Sequence, residues 1–126
     1  MSRALLDTSV VIALAQGEEI PLPDQIAIST VTLCGLHHGV LVADERTRAR
    51  RLATLVEVER AITALPVDER VAPHYGRLVA DFRRLTGRRP RTADALIAAT
   101  ALSHGLPLIT RDSDFESGDL PWVQFV

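Results

Sequence analysis

Apolar residues along this chain gather into short runs separated by amphipathic stretches, a pattern that predicts strands alternating with helices. Residues 3–6 form a short apolar strand ending at Asp7, and 9–16 read as a helix closed by Gly17. Residues 18–25, with Pro21 and Pro23, make a loop before a second strand at 26–29. The stretch 30–43 predicts a mostly buried helix despite two glycines, because Val31, Leu33, Leu36, Val40 and Leu41 recur as such a helix requires. A long amphipathic helix is expected over 44–65, with Leu52, Leu55, Val56, Val58 and Ile62 on its apolar side and Pro66 ending it. A very short strand near Val67 and a helix over 69–86 stopped by Gly87 follow. Thr92 caps a further helix to 104, Gly105 terminates it, 106–110 form a strand, and 122–126 a last strand at the sheet edge.

This alternation predicts an α/β fold of one domain over 1–126, with a central parallel sheet of four or five short strands and helices on both faces. No internal repeat or linker divides the chain. In such sheets sites form beyond the carboxyl ends of the strands. Asp7 ends the first strand and Asp112 follows the 106–110 strand. The helix carrying Asp94 turns through Gly105 into that same strand, so it runs antiparallel to it and begins at the same edge. Three acids from distant segments therefore converge.

Composition narrows the chemistry. The longest apolar runs fall short of the roughly 20 residues needed to cross a bilayer, which implies a protein with no membrane partner. Cys34 is the only cysteine, so no intramolecular disulfide forms and a reducing, cytoplasmic setting is expected. The net charge is −2, yet all 14 basic residues are arginine. Without lysine, neither a Walker-type phosphate loop nor a phospho-receiver pocket is available.

Taken singly, each acid has a structural explanation: Asp7 as a helix cap, Asp94 as a first-turn acid, Asp112 and Asp114 as a solvated turn. Taken together, crowded carboxylates raise one another's pKa unless a cation neutralises them, which points to Mg²⁺, with Mn²⁺ as a substitute. Thr8, Ser9 and Thr110 stand where hydroxyls orient such carboxylates or cap helices. Zinc is not expected, since the adjacent His37 and His38 point in different directions on a helix. Cys34 is assigned to the core, and Phe82, Phe115, Trp122 and Phe125 to packing.

Four segments, L-L-D-T-S-V-V-I-A-L, I-S-T-V-T-L-C-G-L-H-H-G, R-T-A-D-A-L-I-A-A-T-A and L-I-T-R-D-S-D-F, together resemble a PIN-domain ribonuclease of the VapC toxin type. The resemblance spans nearly the whole chain. It implies a Mg²⁺-dependent endoribonuclease that a cognate VapB antitoxin holds silent, usually as a homodimer. Carried over by position, the family acids fall on Asp7, Asp94 and Asp112, with Asp114 as an auxiliary acid. The remaining acid, a Glu in the helix after the second strand, is replaced by Gly35. Natural loss and a deliberate inactivating change both account for it; the latter is favoured because a glycine inside a helix costs roughly 1 kcal/mol relative to alanine. His38 lies one turn further on. The expectation is an intact fold with reduced or abolished cleavage.

RNA must be held against this acidic site. Arg83, Arg84, Arg88, Arg89 and Arg91 lead into Asp94 and are the favoured phosphate contacts, whereas Arg46, Arg48, Arg50 and Arg51 read equally well as a solvated helix face. The alternative to an enzyme is a non-enzymatic protein-binding module that docks an antitoxin-like partner through the acidic pocket. An aspartyl-phosphatase reading is weaker, because Asp7-Thr8-Ser9 lacks a second acid two residues on.

Overall fold

The structure, a computed structural model, describes residues 2–113, 115 and 120–126. Its elements run β1 (Arg3–Leu6), α1 (Thr8–Ala15), β2 (Gln25–Ser29), α2 (Thr30–Val42), α3 (Glu45–Ala61), β3 (Thr63–Leu65), α4 (Val71–Thr86), α5 (Thr92–Ser103), β4 (Leu108–Thr110) and β5 (Val123–Phe125). The five strands form one sheet in the order β3-β2-β1-β4-β5. Every pairing is parallel.

Both faces of the sheet are covered, and the strand alternation dictates how. Leu5, Ala27 and Leu108 point into a core with Leu78 of α4 and Ala95, Ile97, Ala98 and Ala101 of α5. Ala4, Leu6, Ile28 and Ile109 point the other way, onto Val10 and Val11 of α1 and Val58 of α3. The small side chains of α5 let that helix lie close to the sheet, and Ala95, Ala98, Ala99 and Ala101 are all buried.

Four expectations change. The long helix stops at Ala61, and the strand expected near Val67 is β3 instead, paired to β2 with Ala27 opposite Thr63 and Ser29 opposite Leu65. Leu55, Val58, Ile62 and Leu65 keep helical spacing across the break, so periodicity conceals it. Thr92 is the first residue of α5 rather than its cap; Arg91 holds the cap position without a side-chain hydrogen bond. Helix α2 is not mostly buried: only Thr32 is, while Leu41 is 76% exposed. Cys34 is likewise exposed and outside the core.

The α2–α3 junction is held by arginines of the first cluster. Arg51 Nη1 donates to the Gly39 carbonyl at 2.8 Å, and Arg48 Nη2 to that of Ala43 at 2.8 Å. Gly39 is in the last turn of α2 and Ala43 is its C-cap, so these cations complement the negative end of the helix. Arg48 and Arg51 are therefore structural donors, not merely a solvated face. No helix among the described residues is long and apolar enough to cross a membrane.

Candidate functional site

Asp7 sits where β1 gives way to α1. Its backbone N–H donates to the Ile109 carbonyl at 2.9 Å, stitching it to the end of β4. Although Asp7 holds the N-cap position of α1, its side chain makes no capping bond. Its Oδ2 accepts instead from Ser9 Oγ at 2.9 Å and Thr110 Oγ1 at 2.8 Å. Asp7 is 3% exposed, and its Oδ1 has no partner.

The hydroxyls pass the order outward. Ser9 Oγ also accepts the Arg111 N–H at 3.2 Å, and Thr110 Oγ1 accepts the Asp112 N–H at 2.9 Å. Together these bonds set the turn after β4 and fix where Asp112 stands. Thr8 faces the other way, sharing a 2.9 Å hydrogen bond with Thr32 on α2.

Asp94 lies in the first turn of α5 and is half-buried. Burial chiefly, then a hydrogen bond with the Asp112 carboxyl and the charges of Asp7 and Asp112, push its own carboxyl from the usual 3.8 up to about 7, with Arg91 opposing. Its Oδ2 is buried without a partner. Asp7, Asp94 and Asp112 are thus close enough to feel one another. Even so, among the described residues no three His, Cys, Asp or Glu side chains already surround one point as a ready ligand set. Asp94 and Asp112 relieve their repulsion through a shared hydrogen bond. Asp114 lies outside the described residues.

Orphaned carboxylate oxygens are costly when buried, and a hard divalent ion is the partner that oxygen donors of this kind accept. Asp7 Oδ1 and Asp94 Oδ2 therefore fit such an ion in chemistry.

Gly35 is exposed on α2, one turn beyond Thr32. Apart from its own helix turn, nothing lies within 4 Å of the Cβ another residue would place there. It borders a groove of about 610 Å³ between α1, α2 and α3, whose walls include Thr8, Ile12, Leu36, Arg50 and Thr54. His38 is exposed and is not part of that wall; its neighbour His37 faces Glu59 of α3 at 3.5 Å.

Of the arginines ahead of Asp94, Arg83 and Arg84 lie in the last turn of α4 and Arg91 is the N-cap residue of α5. Arg84 is paired with Asp81 at 2.9 Å and Arg89 donates to the Tyr75 hydroxyl at 3.3 Å. Tyr75 and Thr32 escaped the sequence reading; neither carries a signal beyond a hydroxyl on a helix. Phe82 and Phe115 are buried as expected, whereas Phe125 is 42% exposed.

The family profile described as the PIN domain matches residues 4–119. The chain belongs to the PIN-domain family. Its relatives place it in the VapC branch. It is 44% identical over 119 residues to Ribonuclease VapC5 of Mycobacterium tuberculosis, covering 91% of this chain and 87% of that one. Identity to Ribonuclease VapC1 of Rickettsia felis is 35%, over 84% of this chain and 82% of the relative. Among solved structures, a member of the VapBC family of toxin-antitoxin systems, VapBC-5 from Mycobacterium tuberculosis, matches with a TM-score of 0.81 at 41% identity. That match covers 100% of this chain and 98% of the other.

Proposed function

We propose that this VapC-family chain is the endoribonuclease toxin of a toxin-antitoxin pair, with Asp7, Asp94 and Asp112 as ligands for Mg²⁺ or Mn²⁺ and with cleavage impaired by Gly35. The observation that carries this reading is the pair of buried, unpartnered oxygens, Asp7 Oδ1 and Asp94 Oδ2, within one acidic cluster. The names of the VapC relatives support RNA as substrate, and the VapBC complex supports a VapB-type antitoxin as partner. A homodimer, a cytoplasmic setting and Asp114 as an auxiliary acid belong to the same proposal.

A bound divalent ion would supply an acidified water and neutralise charge on the phosphate. The chain's own residues do the rest. Ser9 and Thr110 hold Asp7 by Oδ2 and keep Oδ1 for the ion. Asp94 must release its proton to become a ligand, which couples ion uptake to proton release. Arg83, Arg84, Arg88, Arg89 and Arg91, from the last turn of α4 to the N-cap of α5, would grip phosphates beside the cut. With Gly35 the ligand set lacks one carboxylate, which weakens ion binding and leaves the attacking water poorly aimed.

RNA digestion by the purified chain and by Gly35→Glu, with and without EDTA, tests this. The expected result is weak cleavage by the chain and stronger, EDTA-sensitive cleavage by the variant. Equal cleavage by both would overturn the role given to Gly35; cleavage indifferent to EDTA would overturn the metal. The second reading, a non-enzymatic module that docks an antitoxin-like partner through the acidic pocket, draws on the same unpartnered oxygens of Asp7 and Asp94. Melting with and without Mn²⁺ separates the two, since only a metal site gains stability from the ion.

A further inference from the structure

Arg111 stands between two residues of the acidic cluster. Thr110 before it holds Asp7, and Asp112 after it shares a hydrogen bond with Asp94. The Arg111 guanidinium turns instead to Glu18, donating from Nη1 to Oε2 at 2.7 Å.

Glu18 is delivered there by the end of α1. Gly17, at φ 88°, turns the chain back, so that the N–H groups of Gly17 and Glu18 donate to the Leu14 and Ala13 carbonyls, each at 3.1 Å. Glu18 is thereby fixed to the last turn of a helix whose Val10, Val11 and Ala13 are buried.

Arg111 is tied to both ends of that helix. Its N–H donates to Ser9 Oγ in the first turn at 3.2 Å, and its guanidinium reaches Glu18 just past the last. One attachment leaves a turn free to pivot; two on the same helix do not. On either side the backbone of Asp112 is bonded as well: its N–H donates to Thr110 Oγ1 at 2.9 Å, and its carbonyl accepts from the N–H of buried Phe115 at 3.3 Å. The direction of the Asp112 carboxylate therefore follows from where Arg111 is held. The side chains of Arg111 and Glu18 are 36% and 44% exposed, so their pair adds little to folding stability, and its effect lies in what it positions.

We propose that Glu18 and Arg111 are positioning residues, whose ion pair braces the turn after β4 against α1 and so sets the Asp112 carboxylate for a divalent ion. This assignment rests on the reading of Asp7, Asp94 and Asp112 as metal ligands. Neither Glu18 nor Arg111 is a ligand; both act through Asp112.

Charge alone predicts a different pattern. A guanidinium near a cation site opposes the cation and a carboxylate favours it, so a pure field effect makes Arg111→Met bind the ion more tightly and Glu18→Gln more weakly. A brace fails whichever partner is removed, and both substitutions then weaken binding.

The test is Mn²⁺ affinity at fixed ionic strength, measured by the electron paramagnetic resonance signal of the free ion. Arg111→Met and Glu18→Gln should each bind about threefold more weakly than the parent, within what a partly exposed ion pair can transmit. The double variant should bind no more weakly than the weaker single, because the two side chains act as one unit. Arg111→Lys, which keeps a cation for Glu18, should recover most of the affinity. Without the ion, no variant should melt more than about 4 °C below the parent. Opposite signs in the two single variants would reduce the pair to a field effect, unchanged affinity in both to a surface contact, and additive losses to two separate effects; each overturns the brace. Asp7→Asn distinguishes this from the reading beneath it. If that change abolishes Mn²⁺ binding while both single variants bind like the parent, the metal reading stands and the brace falls. If Asp7→Asn binds Mn²⁺ as the parent does, both fall.

Discussion

Thr110 donates a 2.8 Å hydrogen bond to Oδ2 of Asp7, joining the ends of β4 and β1 across 103 residues of chain. Both residues are buried, at 0% and 3% exposure, and the bond is one of two that hold the carboxylate. Thr110→Val removes the hydroxyl at nearly constant volume. Hydrogen bonds to charged groups contribute about 1.5–3 kcal/mol, so unfolding in urea should become easier by about 2 kcal/mol. An unchanged midpoint would mean that Ser9 alone holds Asp7.

The Asp94 carboxyl, raised to about 7, makes a signed prediction. The folded chain keeps this proton longer than the unfolded chain, so its contribution to stability falls as pH rises from about 3.8 to about 7 and is level above. Without divalent ions, Asp94→Asn should therefore melt higher than the parent at pH above 7, with the gap closing towards pH 4. Excess Mg²⁺ favours the ionised form and should narrow the gap at neutral pH by stabilising the parent alone. Parallel melting curves at every pH would contradict the crowding of these acids.

Gly35→Ala separates backbone from chemistry. The new methyl group meets nothing within 4 Å outside its own helix turn. Alanine should stabilise α2 by about 0.5–1 kcal/mol, read from thermal melting, with no gain in RNA cleavage. A gain in cleavage equal to that of Gly35→Glu would show that helix rigidity, not a missing carboxylate, limits the site.

Arg88→Ala with Arg89→Ala should weaken RNA binding and reduce its salt dependence, by about one unit of log-log slope for every phosphate that is no longer neutralised. The double variant is best compared with Arg50→Ala by fluorescence anisotropy over a salt series. If only Arg50→Ala changes the slope, RNA runs along the α1–α2–α3 groove and not past the start of α5.

Much of this architecture was legible because the strands are short, apolar and followed at once by turn chemistry. Asp7 could be placed at a strand end from four preceding residues, and Asp94 from the connection through Gly105, whose φ of 64° lets the chain reverse. What escaped depends on contacts between distant segments. The break between Ala61 and Thr63 is invisible to periodicity, since Leu65 continues the helical spacing; pairing with β2 decides it. Cys34 was misassigned because the apolar residues of α2 are spread around the helix, and those near its end face outward, as Leu41 and Val42 do. The roles of Arg48 and Arg51 required knowing that α2 and α3 fold back on one another. The hydrogen bond between Asp94 and Asp112 depends in turn on a bend set by Thr110.

The central position of β1 in the sheet has a bearing on biosynthesis. Asp7 leaves the ribosome 103 residues ahead of Thr110, and Ile109 and Asp112, which also anchor it or complete its surroundings, emerge beside that threonine. A nascent chain therefore lacks the bonds from Asp7 to Ile109 and Thr110 while the intervening helices are being translated, and the proposed centre is complete only when β4 slots in beside β1.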